Sequence, residues 1–324
     1  MEDNSFIFNF KNIMKKDYKH FILSGFIILL GLLFADILVG FIGKALVSRI
    51  PDEGERLIKV NYVTNRLDSI DVLIFGSSRA EHHYIPSYLK PRIDSTLNVN
   101  YSIYNAGIGG HFLGYNCCWI ECILDRYTPK IIFLDVFEFF FYDNFTKDLY
   151  ELDAYYGYND AVTRYLDLST PKKRIQLQSN LYKYNEKIPR YLSSIFLKKE
   201  GNHNLGYEPL SGTMTKAEAK KIQHREETNE LNYQAIKGFK HILNLCNQKG
   251  VKLIITTSPR LMYKRKNELT AKLCKEYNVP YIDMECNEFF NEHPEYFRDP
   301  GHLNGEGSEK FMDLFWKELE PVLK

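Results

Sequence analysis

The chain has 324 residues, with 42 Lys and Arg against 41 Asp and Glu and a formal net charge of +1. That balance excludes a mainly electrostatic nucleic-acid binder, and 44% hydrophobic with 26% charged residues excludes both a disordered chain and a polytopic membrane protein. The length suits one large domain or two small ones with a full core, but the averages hide one local extreme.

That extreme comes first in the chain. Residues Phe21 to Ile42 read FILSGFIILLGLLFADILVGFI. As a helix this run rises about 33 Å, enough to cross a bilayer core. Only Asp36 is charged. At mid-membrane it would cost about 2.5–3.5 kcal/mol, but it lies past the centre, from where it could reach the far interface. A buried core helix or a cleaved signal peptide would share this composition. The run is longer than a typical signal h-region, and no small-x-small cleavage pattern follows at once. Residues 21–45 are therefore read as a retained transmembrane anchor, with residues 1–20 as a cytoplasmic tail. Lys11, Lys15, Lys16 and Lys19 precede the span, and Lys44, Arg49, Arg56 and Lys59 follow it. The first set is the tighter cluster, which favours a tail inside and residues 46–324 outside, in a bacterial periplasm or at the cell surface.

Residues 49–70 are polar and read as a linker or first helix. Asp71 to Phe75 is a short apolar run ending in Gly-Ser-Ser, a buried strand and turn. Asn100 to Asn105 is a second strand, followed by the glycines of Ala106-Gly-Ile-Gly-Gly110. Residues 112–127 suit a helix, and Lys130 to Val136 a third buried strand. A long segment, 138–227, interrupts the pattern. It holds Tyr155, Tyr156, Tyr158, Tyr182 and Tyr184 with Lys172, Lys173 and Arg174, side chains able to stack on a sugar ring or to form an ordinary helical cap. A helix at 228–249, a strand at 251–257, a helix at 262–278, a short strand at 280–283 and a closing helix from Gly305 to Leu319 complete the order.

Continuous apolar strands alternating with helices indicate a parallel sheet covered on both faces. The expected fold is α/β: a flavodoxin-like three-layer sandwich with a central parallel sheet of about five strands, plus the N-terminal transmembrane helix. Functional residues of such sheets gather at the carboxyl ends of the strands. The six cysteines include no CxxC pair and no Cys/His ligand spacing, so no metal site is expected; buried thiols are the simplest reading of Cys117, Cys118, Cys122, Cys246, Cys274 and Cys286.

Two segments carry chemistry. Gly76-Ser-Ser-Arg-Ala-Glu81 places Ser78 directly after the first strand, where backbone N–H groups at a helix start can stabilise an oxyanion. Arg298-Asp-Pro-Gly-His-Leu-Asn304 places Asp299 and His302 three residues apart. That spacing lets the carboxylate accept the imidazole Nδ1–H and frees Nε2 to take a proton from a serine. An exposed loop pair is the plainer alternative. Arg79 could hold an anionic substrate or cap the cleft, and His111 could line it. His82 and His83 are expected on the surface of the first helix, and Glu138 ends the third strand without an assigned role.

Taken together, the segments resemble the SGNH (GDSL-like) hydrolase superfamily, over roughly residues 70–320 with the insertion outside. Gly76-Ser-Ser78 stands where that family has Gly-Asp-Ser, Asn105-Ala-Gly-Ile-Gly-Gly110 matches its Asn-x-x-x-x-Gly block, and Asp299-Pro-Gly-His302 its Asp-x-x-His block. The resemblance implies Ser78 as nucleophile, His302 as base, Asp299 as its orienting group, and backbone N–H groups of Ser78 and Gly110 in the oxyanion hole. Two positions depart. Ser77 replaces the Asp of the first block, a change that envelope-polymer-modifying branches tolerate. The family's Gly-x-Asn-Asp after the third strand is absent: the chain reads Asp135-Val-Phe-Glu-Phe-Phe140, and Asn144 nearby has no assigned role. The implied activity is that of a membrane-anchored esterase or O-acyltransferase working on acyl esters of cell-envelope glycans through an acyl-serine. It needs no cofactor, takes an acylated glycan or other ester as substrate, and could draw acyl groups from a membrane partner. The alternative is a catalytically degenerate domain that binds carbohydrate or serves as a membrane-tethered assembly partner.

Overall fold

The computed structural model describes residues 4–50, 56–197, 204–222, 230–262 and 267–324. The expected helix start at 263–266 and the side chains of Lys11, Lys15, Lys16, Arg56 and Glu138 lie outside the described residues.

Five strands form one parallel sheet: β1 (Val72–Phe75), β2 (Ile103–Asn105), β3 (Ile131–Asp135), β4 (Lys252–Thr257) and β5 (Tyr281–Asp283). Their order is β2-β1-β3-β4-β5, the flavodoxin-like arrangement. The central strands are apolar through their middles because both faces are covered, and their polar residues, Lys252 and the buried Asp135, Thr256 and Thr257, stand at the strand ends. Leu73, Phe75, Ile132, Leu134 and Ile255 join the core on one face, under the helices Leu113–Leu124 and Tyr233–Gln248. Val72, Ile74, Phe133 and Ile254 join the other, under Phe311, Phe315 and Leu319 of the closing helix Gly305–Leu323. The alternation follows from the period-two direction of strand side chains. Registers such as Phe75↔Leu134 and Asp135↔Thr256 bring the carboxyl ends of the strands to one edge.

One expectation shifts and one is resolved. β2 starts only at Ile103, because the Tyr101 N–H is taken by Asp94 Oδ1 (2.8 Å) and the Ser102 N–H by Asp71 Oδ2 (2.9 Å). For residues 56–66 the helical alternative holds, not the linker. They form two short helical segments whose Val60 and Val63, with Leu67 beyond them, are buried in the core.

The N-terminal helix runs Asn4–Val47, and its stretch Tyr18–Val47 is long and apolar enough to cross a membrane. Its side chains are exposed from residue 18 to 34. Beyond that it docks on the insertion. Asp36 is held by three donors of the insertion: it accepts from Ser179 Oγ (2.6 Å), Asn180 Nδ2 (3.0 Å) and the Leu181 N–H (2.9 Å). Close approach requires glycine here. A Cβ on Gly40 would stand 2.7 Å from the Asn180 amide, and one on Gly43 would stand 2.5 Å from the Tyr184 ring. The insertion tyrosines serve this docking and the core rather than an open aromatic platform. Tyr155 and Tyr184 are buried, Tyr155 donates to Asn61 Oδ1 (2.9 Å), and the Tyr158 and Tyr184 hydroxyls share a hydrogen bond (3.0 Å). Cys117, Cys118, Cys122, Cys246 and Cys274 are buried thiols and Cys286 is half-buried, all outside any disulfide.

Candidate active site

The helix Ser78–His83 starts immediately after β1. Two glycines let it sit hard against the strand ends. Gly76 has φ +150°, and a Cβ there would meet the Ala80 Cβ at 2.6 Å; one on Gly107 would meet the Ala80 Cβ and the Glu81 backbone nitrogen, each at 2.7 Å. Asn105, fully buried, ties the second block to this helix. Its amide donates to the Ala80 (2.8 Å) and Tyr84 (2.9 Å) carbonyls, and its Oδ1 accepts the Gly107 N–H (2.9 Å). The glycine turn thus lies beside the serine: a Cβ on Gly109 would be 3.5 Å from the Ser78 Cβ. Gly110 follows in the left-handed region at φ +75° and is exposed.

Across the sheet edge, β6 (Phe297–Asp299) and β7 (His302–Leu303) form a tight hairpin in which Asp299 and His302 are paired. His302 Nε2 lies 2.7 Å from Ser78 Oγ. His302 Nδ1 lies 2.9 and 3.0 Å from the two oxygens of Asp299. Asp299 Oδ1 also accepts the N–H groups of Gly301 (2.9 Å) and His302 (3.1 Å). Partial burial opposes ionisation of Asp299, but the hydrogen bond and charge of His302 with those two N–H groups hold its carboxyl below the ordinary value. Ser78 and His302 are partly exposed, so the pair is reachable from solvent.

Two expected substrate-binding residues are placed elsewhere. Arg79 does not face a cleft. It is 4% exposed, pairs with Glu285 (2.9 Å), donates to the hydroxyl and carbonyl of Ser258, and lies over the Phe137 ring. His111 is fully buried, with Nδ1 on the Gly109 carbonyl (3.0 Å) and its ring against Tyr115. The two have different causes: Arg79 is buried by partners 179 and 206 residues away, Ser258 and Glu285, while His111 folds back on its own neighbours Gly109 and Tyr115.

The adjacent histidines are also off the open surface. His83 is fully buried. Its Nε2 accepts the Leu303 N–H (3.0 Å), which makes Nδ1 the protonated nitrogen, donating to Ser258 Oγ (3.0 Å). Burial first, then the charges of Arg79, His302 and His82, push its pKa well below the ordinary 6.5. Its neutral ring thereby fastens the residue next to His302 to the end of β4. His82 stands edge-on to His302, with ring centroids 5.8 Å apart, and its Nδ1 meets the Glu208 carbonyl (2.7 Å). Glu81, His82 and Glu208 bring ligand-type atoms within 4.8 Å of one another. Glu81, however, already accepts from Lys59 (3.4 Å) and from the Gly109 N–H (2.8 Å), so protein donors occupy the group.

Sequence reasoning missed residues 204–214, which cross the site as a strap. The Leu205 carbonyl accepts the Asn105 N–H (2.8 Å), the Glu208 N–H donates to the Glu81 carbonyl (3.0 Å), and the Leu210 carbonyl accepts the Gly305 N–H (2.9 Å). These are backbone bonds, so no side-chain pattern announces them; Gly206, at φ +87° and pressed on the Asn105 carbonyl, was the one readable signal. After β3, Phe137 covers Arg79, and Asn144 spends its Oδ1 on the N–H and hydroxyl of Thr146 (3.0 and 3.1 Å).

No protein-family model and no curated protein matches this chain. Among solved structures it is similar to a GDSL-like lipase from Bacteroides thetaiotaomicron, at 12% identity and a TM-score of 0.39, over 83% of this chain and 100% of that one. It is similar to a lipase/acylhydrolase from Enterococcus faecalis at 11% identity and a TM-score of 0.38, over 79% and 97%. A psychrotrophic esterase from Pseudoalteromonas gives 9% identity and a TM-score of 0.39, over 78% and 98%.

Proposed function

We propose that this chain is an SGNH-type serine hydrolase acting on acyl esters, held at a membrane by residues 21–45 with residues 46–324 outside the cytoplasm. The observation that carries the reading is the continuous chain from Ser78 Oγ to His302 Nε2 (2.7 Å) and from His302 Nδ1 to Asp299 (2.9 Å). A nucleophile, a base and an orienting carboxylate in hydrogen-bond contact are what acyl transfer through serine requires.

In this mechanism Ser78 Oγ attacks the ester carbonyl carbon while His302 Nε2 takes its proton. The Asp299 carboxylate holds Nδ1–H and stabilises the imidazolium. The tetrahedral oxyanion is received by the N–H groups of Ser78 and Gly110; neither has an acceptor among the described residues. Collapse breaks the ester C–O bond, and His302 returns the proton to the leaving alcohol. Water, or a sugar hydroxyl in the transferase variant, then attacks the acyl-serine with His302 again as base. Envelope glycan esters are the substrate class, and a membrane acyl donor is the partner for transfer; both extend the family resemblance.

The chain is expected to label with a fluorophosphonate and to hydrolyse a short-chain aryl acetate, and Ser78→Ala is expected to abolish both. A folded chain that neither labels nor turns over would refute the reading. It would favour instead a degenerate carbohydrate-binding or assembly domain, which the lack of asparagine after β3 supports. Losing one oxyanion donor costs only about 10²–10³ in rate, so the missing asparagine slows the reaction without removing it.

A further inference from the structure

The exposed apolar side chains outside the anchor are not scattered. Among the described residues nine are aliphatic, phenylalanine or methionine, and five of those nine (Ile175, Leu181, Leu192, Phe196 and Leu197) fall between residues 175 and 197. Phe196 is 77% exposed, Ile175 74% and Leu197 68%. Leu192 and Phe196 are four residues apart on the helix Lys187–Phe196 and so share a face, while Tyr191 beside them is buried.

The same stretch holds the anchor. Ser179, Asn180 and Leu181 supply the three donors to Asp36, and Tyr184 fills the notch at Gly43. The freely exposed part of the anchor, residues 18–34, rises about 26 Å at 1.5 Å per residue, close to the roughly 30 Å of a bilayer's hydrocarbon core. Docking begins where that length is used up. Ile37 and Phe41, on the side of the anchor away from the insertion, remain exposed at 67% and 80%. Lys172, Arg174 and Lys44 are exposed around this edge. An apolar patch on the stretch that docks a membrane-crossing helix, with these exposed cations outnumbering the exposed Glu186, matches the chemistry of an anionic headgroup layer.

We infer that residues 175–197 are a lipid-contacting surface. They seat the domain in the headgroup region of the bilayer that the anchor crosses, and Asp36 is the pin that fixes the two together. This rests on the reading of residues 21–45 as a retained anchor. The occupant is the bilayer itself, with phosphatidylglycerol-type anionic headgroups at the rim.

The full chain with Cys286→Ser, reconstituted in vesicles of phosphatidylcholine and phosphatidylglycerol, carries a single environment-sensitive fluorophore at Ile28→Cys, Phe196→Cys or Lys317→Cys. Labels at 28 and 196 are expected to shift to the blue and to be quenched by lipid-borne nitroxides, deep for 28 and near the headgroups for 196, while 317 stays in water. Adding Asp36→Ala should reduce quenching at 196 and leave 28 unchanged. Quenching at 28 without quenching at 196 overturns the lipid surface and leaves the anchor standing. Shielding at 196 without lipid quenching also overturns it and identifies a second copy of the chain as the occupant. Absence of quenching at 28 refutes the anchor, and the lipid surface with it.

Discussion

Replacing Asp299 with asparagine isolates what the carboxylate does for His302. Oδ1 accepts two backbone N–H groups, from Gly301 and His302, while both oxygens lie within 3.0 Å of Nδ1. Asparagine keeps the volume. Its carbonyl oxygen goes to the two backbone donors, which turns its NH₂ toward Nδ1. Nδ1 must then accept, the proton moves to Nε2, and Nε2 can no longer take a proton from Ser78 Oγ. In a serine protease the same exchange lowers kcat by about 10⁴. The Asp299 side chain is 47% exposed, so water can partly rescue the tautomer here. We expect a loss of about 10³ in kcat, or about 4 kcal/mol of transition-state stabilisation at 1.36 kcal/mol per decade. The assay is aryl acetate turnover by the full chain in detergent, with a thermal melt beside it. An Asp299→Asn chain that melts normally and keeps more than a tenth of wild-type kcat, while Ser78→Ala is dead, would refute the tautomer argument.

Three further outcomes follow from the buried surroundings. His83 stays neutral in the fold while an unfolded chain protonates near pH 6.5, so its contribution is complete above that pH and is lost on acidification, by up to about 1.4 kcal/mol per pH unit. Urea titrations near pH 7 and pH 5.5 should show the wild type losing more stability across that interval than His83→Gln. Gly107→Ala forces a Cβ onto Ala80 and the Glu81 backbone; it should cost about 1–3 kcal/mol and lower turnover as well, because the displaced helix carries Ser78. Arg79→Met leaves the buried Asp135 and Glu285 carboxylates without their cation, and its urea midpoint should fall by the equivalent of about 3–5 kcal/mol.

The central strands were legible because a strand buried on both faces fills its middle with apolar residues; the buried Asp135 and Thr256 stand only at the carboxyl ends, where Tyr84 and Ser258 hydrogen-bond them. β3 and β4 differ from their expected bounds by a residue at one or both ends. The candidate triad was legible for a different reason: Ser78 follows a strand, and Asp299 and His302 are local to each other, so only one long-range meeting had to be supplied by the fold. Arg79, His83 and His111 were not legible. Their burial depends on Glu285, Ser258, Leu303 and Gly109, most of them over a hundred residues away, and no local pattern encodes such partners. The α-helices between residues 160 and 196 run five to ten residues, below the length at which helical period speaks for itself. Asp36 was legible as an anomaly in an apolar run, but its three donors were not.

The Ser78–His302 hydrogen bond joins residues 224 apart, and this separation orders events during synthesis. The five strands are complete by Asp283, yet the helix Gly305–Leu323, whose Phe311, Phe315 and Leu319 share a core with Val72, Ile74 and Phe133, is made after all of them. Until it arrives, that face of the sheet is only partly covered, by Ala80, Tyr84, Leu89 and Ile93, and Ser78 has no His302 beside it. A chain stopped before Phe297 therefore loses its fold and its chemistry together.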